Sequence, residues 1–194
     1  AMTYRQVVID ALSFRRPAYV PWSWTPTVRA AERLKEHLGV TDLEPFLGGH
    51  FCGVGAGIAR VEPVSATHVR DVYGVIWDRS VDRDIGTPVE WPIREPSDLD
   101  RYRWPDANDP AWYAGIAERL ARGADRFKIY HLGFSLYERA WTLRGMTELL
   151  ADMVGRPEFV ERLLDEITEQ NLIQIRRALE FPVDAVYFGD DYGM

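Results

Sequence analysis

Apolar side chains recur along this chain with the spacings that distinguish helices from strands. Near the start, a spacing of three to four residues predicts a helix in which Val7 and Ala11 share one face. A second helix follows, with Thr25 as a candidate N-cap and Pro26 in its first turn. Gly39 is placed to end that helix, because glycine adopts the left-handed conformation at low cost.

Further along, short apolar runs predict buried strands that alternate with helices. Two consecutive helices are predicted over 135–155 and 156–180. This alternation is typical of βα units in a parallel sheet, and about four such units can be counted. An open doubly wound sheet and half of a closed barrel both fit the pattern. The predicted strands are 18–24, 72–77, 127–133 and 184–188.

A segment rich in proline, aspartate and tryptophan, residues 83–110, interrupts the alternation. Trp91, Tyr102 and Trp104 give it apolar anchors that a flexible linker would lack. We therefore predict an ordered excursion within a single domain that spans residues 1–194.

The amino-acid composition argues against some classes of binding partner and indicates a cellular compartment. The 194 residues are 46% hydrophobic and carry 23 basic against 30 acidic side chains, a net charge of −7. Without a concentrated basic patch, neither a nucleic-acid partner nor an anionic membrane partner is expected. Cys52 is the single cysteine, which fits a reducing compartment. No apolar run approaches the ~18 residues of a membrane helix, so we expect a cytoplasmic protein.

Two adjacent aspartates, Asp190 and Asp191, follow the last predicted strand. Successive strand residues point to opposite faces, so one of the two carboxylates should reach the interior. There it could transfer a proton or position a ligand, and we predict both aspartates as catalytic residues. The alternative is that one of them caps the next helix.

The segment Tyr137–Gly145 follows the strand that contains His131, which places both near the same edge of the sheet. Glu138 and Arg139 could bind polar groups of a substrate, and Arg144 could hold a carboxylate in a bidentate pair. We predict these three residues and His131 as substrate-binding residues. The alternative is an arginine–glutamate pair that fastens the loop to its helix.

Earlier in the chain, His50 and Cys52 have the spacing of two zinc ligands on one side of a strand. A buried thiol beside an ordinary histidine is the preferred interpretation, and we assign no metal to this chain. Trp22 and Trp24 flank one residue and could form the floor of an aromatic pocket, although core packing is the more frequent use of such residues.

Four segments in order resemble the uroporphyrinogen decarboxylase superfamily, particularly its methyltransferase-like members. They read "RYRWPDANDPAWY", "GFSLYERAWTLRGMTELLADM", "PEFVERLLDEITE" and "YFGDDYGM". The opening "VVIDALSFRRPAYVP" and "ERLKEHLG" extend the resemblance over nearly the whole chain. It implies an α/β fold, the (β/α)8 TIM barrel, of which this chain would be about the first half.

The resemblance also implies chemistry on or beside tetrapyrroles. Decarboxylase members remove acetate carboxyls from uroporphyrinogen without a cofactor, whereas methyltransferase members pass methyl groups to or from a corrinoid or thiol, usually with zinc. Here "PWSWTPTVR" replaces the arginine-rich decarboxylase segment, and His50 stands near the position of its essential aspartate. We therefore expect methyl transfer ahead of decarboxylation, with Trp22, Trp24 and His50 against the substrate.

The expected partners follow from the same resemblance. They are a small-molecule tetrapyrrole or methyl donor and a corrinoid protein, and zinc or corrinoid would be bound through residues outside this chain. A half-barrel would expose unpaired strand edges, so we expect either a homodimer or a missing C-terminal half. A non-catalytic module that binds a tetrapyrrole or a corrinoid protein is the alternative to an enzyme.

Overall fold

A computed structural model describes residues 2–47, 49–56 and 60–191. Short 3₁₀ helices cover Pro96–Asp100 and Pro110–Tyr113. The α-helices are α1 (Tyr4–Leu12), α2 (Val28–Leu38), α3 (Glu44–Leu47), α4 (Ile116–Arg122), α5 (Tyr137–Arg144), α6 (Met146–Gly155) and α7 (Pro157–Ala178). The strands are β1 (Phe51–Val54), β2 (Val61–Pro63), β3 (His68–Asp71), β4 (Ile76–Asp78), β5 (Thr87–Glu90), β6 (Phe127–Leu132) and β7 (Ala185–Phe188).

Helix ends follow local side-chain chemistry. Thr27, and not Thr25, is the N-cap of α2, and its hydroxyl accepts the amide N–H of Ala30 at 3.3 Å. Gly39 ends that helix in the left-handed conformation, with φ of 65°. The single helix predicted over 135–155 is two helices, because Gly145 adopts φ of 91° and ψ of 134° between α5 and α6.

The strands form two separate sheets. One has three parallel strands in the order β1-β6-β7, with Phe51 opposite Phe127 in the β1–β6 pair. The other has four antiparallel strands in the order β2-β3-β4-β5. Four consecutive strands of the chain therefore belong to an antiparallel sheet.

The predicted half of a (β/α)8 barrel is wrong. Such a half would pair consecutive strands in parallel, each followed by a helix, but β1 leads directly into the antiparallel sheet. The predicted strand over 18–24 has no regular structure. The apolar run over 72–77 is a turn that leads into β4, because Asp71 accepts the amides of Tyr73 and Val75 at 2.9 and 3.0 Å.

One compact unit comprises Ala1–Val54, Gly115–Tyr130 and Pro182–Ala185. Its buried residues include Val7 and Val8 of α1 and Leu120 of α4. The side chains of Arg5 and Asp184 pair within this unit at 2.6 Å, so residues from the two ends of the sequence meet there.

A second compact unit comprises Gly55–Ala114, His131–Phe181 and Val186–Met194. Tyr102 and Trp104 from the proline-rich segment pack against its hydrophobic core. The Tyr102 hydroxyl donates to the backbone oxygen of Tyr73 at 2.6 Å, which ties this segment to the β3–β4 turn. The core includes Tyr73, Val75, Trp77, Ile93, Leu99, Ala140, Leu143, Leu149, Val160, Leu163 and Ile167.

A buried ion pair joins α5 to α6 in this unit. Arg144 Nε donates to Asp152 Oδ2 at 2.8 Å, and Arg156 Nη1 donates to Oδ1 at 2.6 Å. Burial alone would raise the pKa of the fully buried Asp152 carboxyl, but the hydrogen bonds from the two arginines outweigh burial and lower it. Across the described ranges, no helix is both long enough and apolar enough to cross a membrane.

We predict that Asp152→Ala lowers the free energy of unfolding by about 3–5 kcal/mol, because it removes the buried partner of the Arg144 guanidinium and leaves only the exposed Glu148 carboxylate at 3.5 Å. Urea denaturation measures the change. The control is Asp165→Ala, which removes an exposed carboxylate from α7 and should change stability by no more than about 0.5 kcal/mol. Equal effects of the two substitutions would contradict a structural role for the pair.

Candidate functional site

The second unit contains a cavity of about 460 Å³ with an apolar wall and several charged side chains. The rings of Trp77 and Phe134 lie in that wall at 72° to each other, with their centroids 5.6 Å apart. The remaining lining residues are Gly55, Ala56, Val61, Asp71, Arg79, Asp84, Ile85, His131, Gly133 and Arg139.

Two neighbouring pieces of secondary structure supply the main side chains. Asp71 ends β3 and Trp77 lies on β4, so the turn between these strands sets their positions. Phe134 follows β6, and Arg139 lies in the first turn of α5. The cavity thus combines one hairpin with one strand-to-helix connection.

Arg139 is the central polar group of the cavity wall, although it is only 5% exposed. Its Cζ atom lies 3.8 Å from the centroid of the Tyr73 ring and 5.4 Å from that of Phe134. Nη1 reaches Asp71 Oδ2 and Thr142 Oγ1 only at 3.5 Å. A guanidinium carries five N–H donors, and those on Nε and Nη2 have no hydrogen-bond partner among the described residues.

Asp71 has shorter and more numerous hydrogen bonds than Arg139. Its Oδ1 accepts the amides of the β3–β4 turn, and its Oδ2 accepts the indole N–H of Trp77 at 3.1 Å. The carboxylate therefore closes the turn and fixes the Trp77 ring, with only a long contact left for Arg139. A ligand could approach the guanidinium without displacing a short ion pair.

The structure places the predicted catalytic residue Asp190 at the N-terminus of α5. Burial alone would raise its pKa, but hydrogen bonds from backbone amides and from a serine hydroxyl outweigh burial and lower it. Asp190 is thus an ionised cap of α5, a helix that precedes it in the chain, whereas the alternative weighed from the sequence was a cap of the next helix. Its donors are Leu136 N at 2.5 Å, Tyr137 N and Glu138 N at 2.8 Å, Ser135 Oγ at 3.0 Å and Asp191 N at 3.0 Å.

The pKa of Glu138 is shifted upward, in the opposite direction from that of Asp190. Partial burial raises its pKa, and the charges of Asp191 and Asp190 raise it further. A carboxyl group with a raised pKa can donate a proton nearer neutral pH than an ordinary glutamate can. Of the three carboxyl groups that the sequence brought together here, Glu138 is the one suited to general-acid chemistry.

His131 lines the cavity, and its ring lies 5.2 Å from that of Tyr187 at an angle of 57°. Partial burial lowers the pKa of this imidazole, so the neutral ring is favoured at neutral pH. A neutral imidazole can accept a proton or a hydrogen bond from a ligand. His131 and Arg139, both predicted from the sequence, therefore line the same cavity.

The other predicted substrate-binding residues lie elsewhere. Arg144 is held by Asp152 and is absent from the described lining of the cavity. Trp22 and Trp24 belong to the first unit, where they are 44% and 50% exposed. His50, in the same unit, is fully buried and packs edge-on against Tyr4, Tyr19 and Trp22.

His50 and Cys52 do not form a metal site with their described neighbours. His50 Nδ1 contacts the backbone of Trp22, and Cys52 Sγ lies 3.6 Å from the carbonyl oxygen of Arg119. Within the described ranges, no group of three or more His, Cys, Asp or Glu side chains could hold a metal ion.

Sequence reasoning missed Asp71, Trp77 and Phe134. The signal for the first two was the turn sequence "DVYG", because aspartate at the first position and glycine at the fourth are typical of a type I turn. A hairpin there would have placed Asp71 beside Trp77. Phe134 carried no comparable signal, since its role follows from an unusual backbone conformation with φ of 51°.

No family model, curated protein or solved structure matches this chain. Membership of the uroporphyrinogen decarboxylase superfamily therefore stays a prediction from the sequence motifs. The last three residues of the final motif, at 192–194, lie outside the described residues.

We predict that Asp191→Asn lowers the raised pKa of Glu138, because the Asp191 charge is one cause of that shift. Carboxyl carbon shifts followed by NMR against pH measure the change. Asp165→Asn removes an equal charge from α7 and should leave the Glu138 pKa where it is in the wild type. An unchanged pKa in Asp191→Asn would contradict the electrostatic coupling.

The same raised pKa predicts a pH dependence of stability. Protonated Glu138 is favoured by the folded state, so its stabilising contribution is complete below the pKa of the unfolded chain. It is lost as the pH rises through the higher folded pKa. The difference in unfolding free energy between wild type and Glu138→Gln should follow this course in urea titrations at several pH values, and a pH-independent difference would contradict it.

Proposed function

We propose that this chain binds a molecule with a flat apolar body and a carboxylate in the cavity of its second unit. One observation carries the proposal: Arg139 is buried in the cavity wall, yet its contacts to Asp71 and Thr142 are both 3.5 Å long. A buried cation with unused donors matches an anionic group that arrives with a ligand.

A carboxylate suits these donors best. The guanidinium is a planar fork that can give two parallel N–H···O bonds to one carboxylate, and its stacking on Tyr73 orients that plane. Because the Arg139 side chain is only 5% exposed, such a pair should be stronger than one on the open surface. The second cation in the lining, Arg79, favours the same sign of ligand charge.

The apolar part of the ligand follows from the rest of the lining. Trp77 and Phe134 present aromatic surface, and Val61 and Ile85 add aliphatic surface. A volume of about 460 Å³ lies within the range of about 300–1,000 Å³ found for small-molecule sites. A single pyrrole ring with an acid side chain combines a flat apolar body with a carboxylate. We therefore propose tetrapyrroles, the class suggested by the sequence resemblance, as ligands that enter with one ring.

A second candidate function is decarboxylation of the bound acid, the other reaction that the sequence resemblance suggests. Glu138, whose pKa is raised, adjoins Arg139 in the sequence but lies outside the described lining of the cavity. In that reaction the bond between the ring substituent and its carboxylate breaks, CO₂ leaves, and the remaining electron pair takes a proton. Arg139 would hold a carboxylate and Glu138 would supply the proton. Methyl transfer, a corrinoid partner and a homodimer stay predictions from the sequence.

The binding proposal is tested with two aromatic probes that differ in charge, 2-naphthoate and its neutral analogue naphthalene-2-carboxamide. A charge-assisted hydrogen bond contributes about 1.5–3 kcal/mol, so the acid should bind about 10- to 100-fold more tightly. Isothermal titration calorimetry on the purified chain measures both. Equal affinities would contradict a carboxylate site, and displacement of 2-naphthoate by uroporphyrin would support the tetrapyrrole class.

The matched protein variants are Arg139→Lys and Arg176→Gln. Lysine keeps the charge but loses the planar fork, so affinity for 2-naphthoate should fall about tenfold. Arg176 is exposed in the last turn of α7 and lies outside the described lining, so its loss should leave affinity unchanged. Equal losses in both variants would indicate general charge attraction in place of a site at Arg139.

A further inference from the structure

The connection from β6 to α5 combines an unusual backbone conformation with a dense set of hydrogen bonds. Phe134, which supplies part of the aromatic wall, has φ of 51°, a value that residues other than glycine seldom adopt. Five residues later, Arg139 supplies the buried cation. The segment Phe134–Arg139 therefore sets both chemical features of the proposed ligand site, and something must hold it in place.

We infer that Asp190 is a positioning residue for ligand binding, which holds the segment Phe134–Arg139 so that the Phe134 ring and the Arg139 guanidinium face one ligand. This inference rests on the proposed binding function. Asp190 does not line the described cavity wall, so it acts through the backbone of that segment.

The first step of the argument is the number of bonds to one carboxylate. Asp190 Oδ2 accepts from Leu136 N at 2.5 Å, from Tyr137 N at 2.8 Å and from the Ser135 hydroxyl at 3.0 Å. Oδ1 accepts from Glu138 N at 2.8 Å. Apart from Asp191 N, the donors belong to the four residues between Phe134 and Arg139, so the carboxylate fixes the whole connection at once.

The second step is that no other side chain among the described residues caps the first turn of α5. Its N-cap residue, Leu136, has no side chain that can accept a hydrogen bond, so the free amides of the first turn rely on Asp190. Bonds to a charged acceptor are also stronger than bonds to a neutral one. Because Arg139 lies in this first turn, fraying of the turn would move the guanidinium off the Tyr73 ring.

The third step is that the backbone just after β7, which leads to Asp190, is attached to the same connection. Ser135 N donates to Gly189 O at 3.0 Å, and Gly189 N donates to Leu132 O at 2.9 Å. The Asn171 side chain from α7 also donates to the Ser135 carbonyl. Residues on both sides of Phe134 are thus held, which keeps its left-handed conformation in place.

The test compares Asp190→Asn with Asp191→Asn, since both remove one charge at adjacent positions. Asparagine at 190 keeps a single acceptor oxygen and turns an N–H₂ group toward the amides of α5. We expect affinity for 2-naphthoate to fall about tenfold in Asp190→Asn, with faster exchange of the Leu136, Tyr137 and Glu138 amide hydrogens. Asp191→Asn should change neither the affinity for 2-naphthoate nor the exchange of these amide hydrogens, because Asp191 contributes only its backbone N–H to the Asp190 carboxylate.

A further variant separates positioning from general stability. Ile167→Val removes a methylene from the buried core without touching the described cavity lining, so it should lower stability and leave affinity unchanged. Loss of affinity in Ile167→Val equal to that in Asp190→Asn would overturn the inference. So would wild-type affinity in Asp190→Asn. If Asp190→Asn fails to fold, Ser135→Ala removes one of the same bonds and should give the same pattern on a smaller scale.

A ligand-free readout distinguishes failure of this inference from failure of the proposed function. The Arg139 Nε–H resonance should be displaced by the ring current of Tyr73, which lies 3.8 Å from the guanidinium. Asp190→Asn should move that resonance toward the value of a free arginine, whether or not 2-naphthoate binds. An unchanged resonance in the variant would overturn the positioning role. Absence of 2-naphthoate binding in the wild type would instead overturn the binding function.

Discussion

The second unit depends on the carboxylate of Asp71 at the end of β3. By accepting the amides of Tyr73 and Val75, it turns an apolar run that could have continued as a strand back into a hairpin. The other oxygen holds the Trp77 indole, and the turn places the Tyr73 ring beneath Arg139. The Asp71 carboxylate thus accepts from four donors, and the antiparallel sheet, the aromatic wall and the stacked cation all follow from these bonds. The hairpin that it closes explains why a parallel barrel does not form here.

Two aspartates in this unit are used for structure, and this changes where its chemistry should be sought. Asp71 and Asp190 are saturated by backbone and side-chain donors, so neither has an oxygen pair free for a ligand or a proton. Glu138 and Arg139 differ from these two aspartates. The pKa of the Glu138 carboxyl is raised by burial and neighbouring charge, and the Arg139 guanidinium has only long contacts. Incompletely satisfied buried groups are where binding energy remains available.

Local features of the fold could be predicted from the sequence, and long-range ones could not. The periodicity around Val7 predicts α1, and Gly39 predicts the end of α2, because both depend on neighbours within one or two turns. The same reasoning failed over 72–77, where period and composition suit a buried parallel strand equally well. Among site residues, His131 and Arg139 were found because a strand end followed by a polar helix start marks a functional edge. Trp77 was missed because the turn that places it beside Asp71 was not recognised, and because its hairpin is distant in the sequence from the β6–α5 connection that completes the cavity.

Asp190 illustrates why a carboxylate placed after a strand can have either a chemical or a structural use. Two acids after a strand indicate either a reactive group or a helix cap, and the sequence cannot say which amides will lie nearby. The amides at the start of α5 lie more than 50 residues earlier in the chain. They donate hydrogen bonds to both carboxylate oxygens of Asp190, which makes this residue a helix cap. Once the cap is formed, its negative charge raises the pKa of Glu138, while the turn that it fixes carries Arg139. The cap therefore tunes the neighbouring acid and positions the neighbouring cation, so Asp190 supports the proposed site for an acidic ligand without lining it.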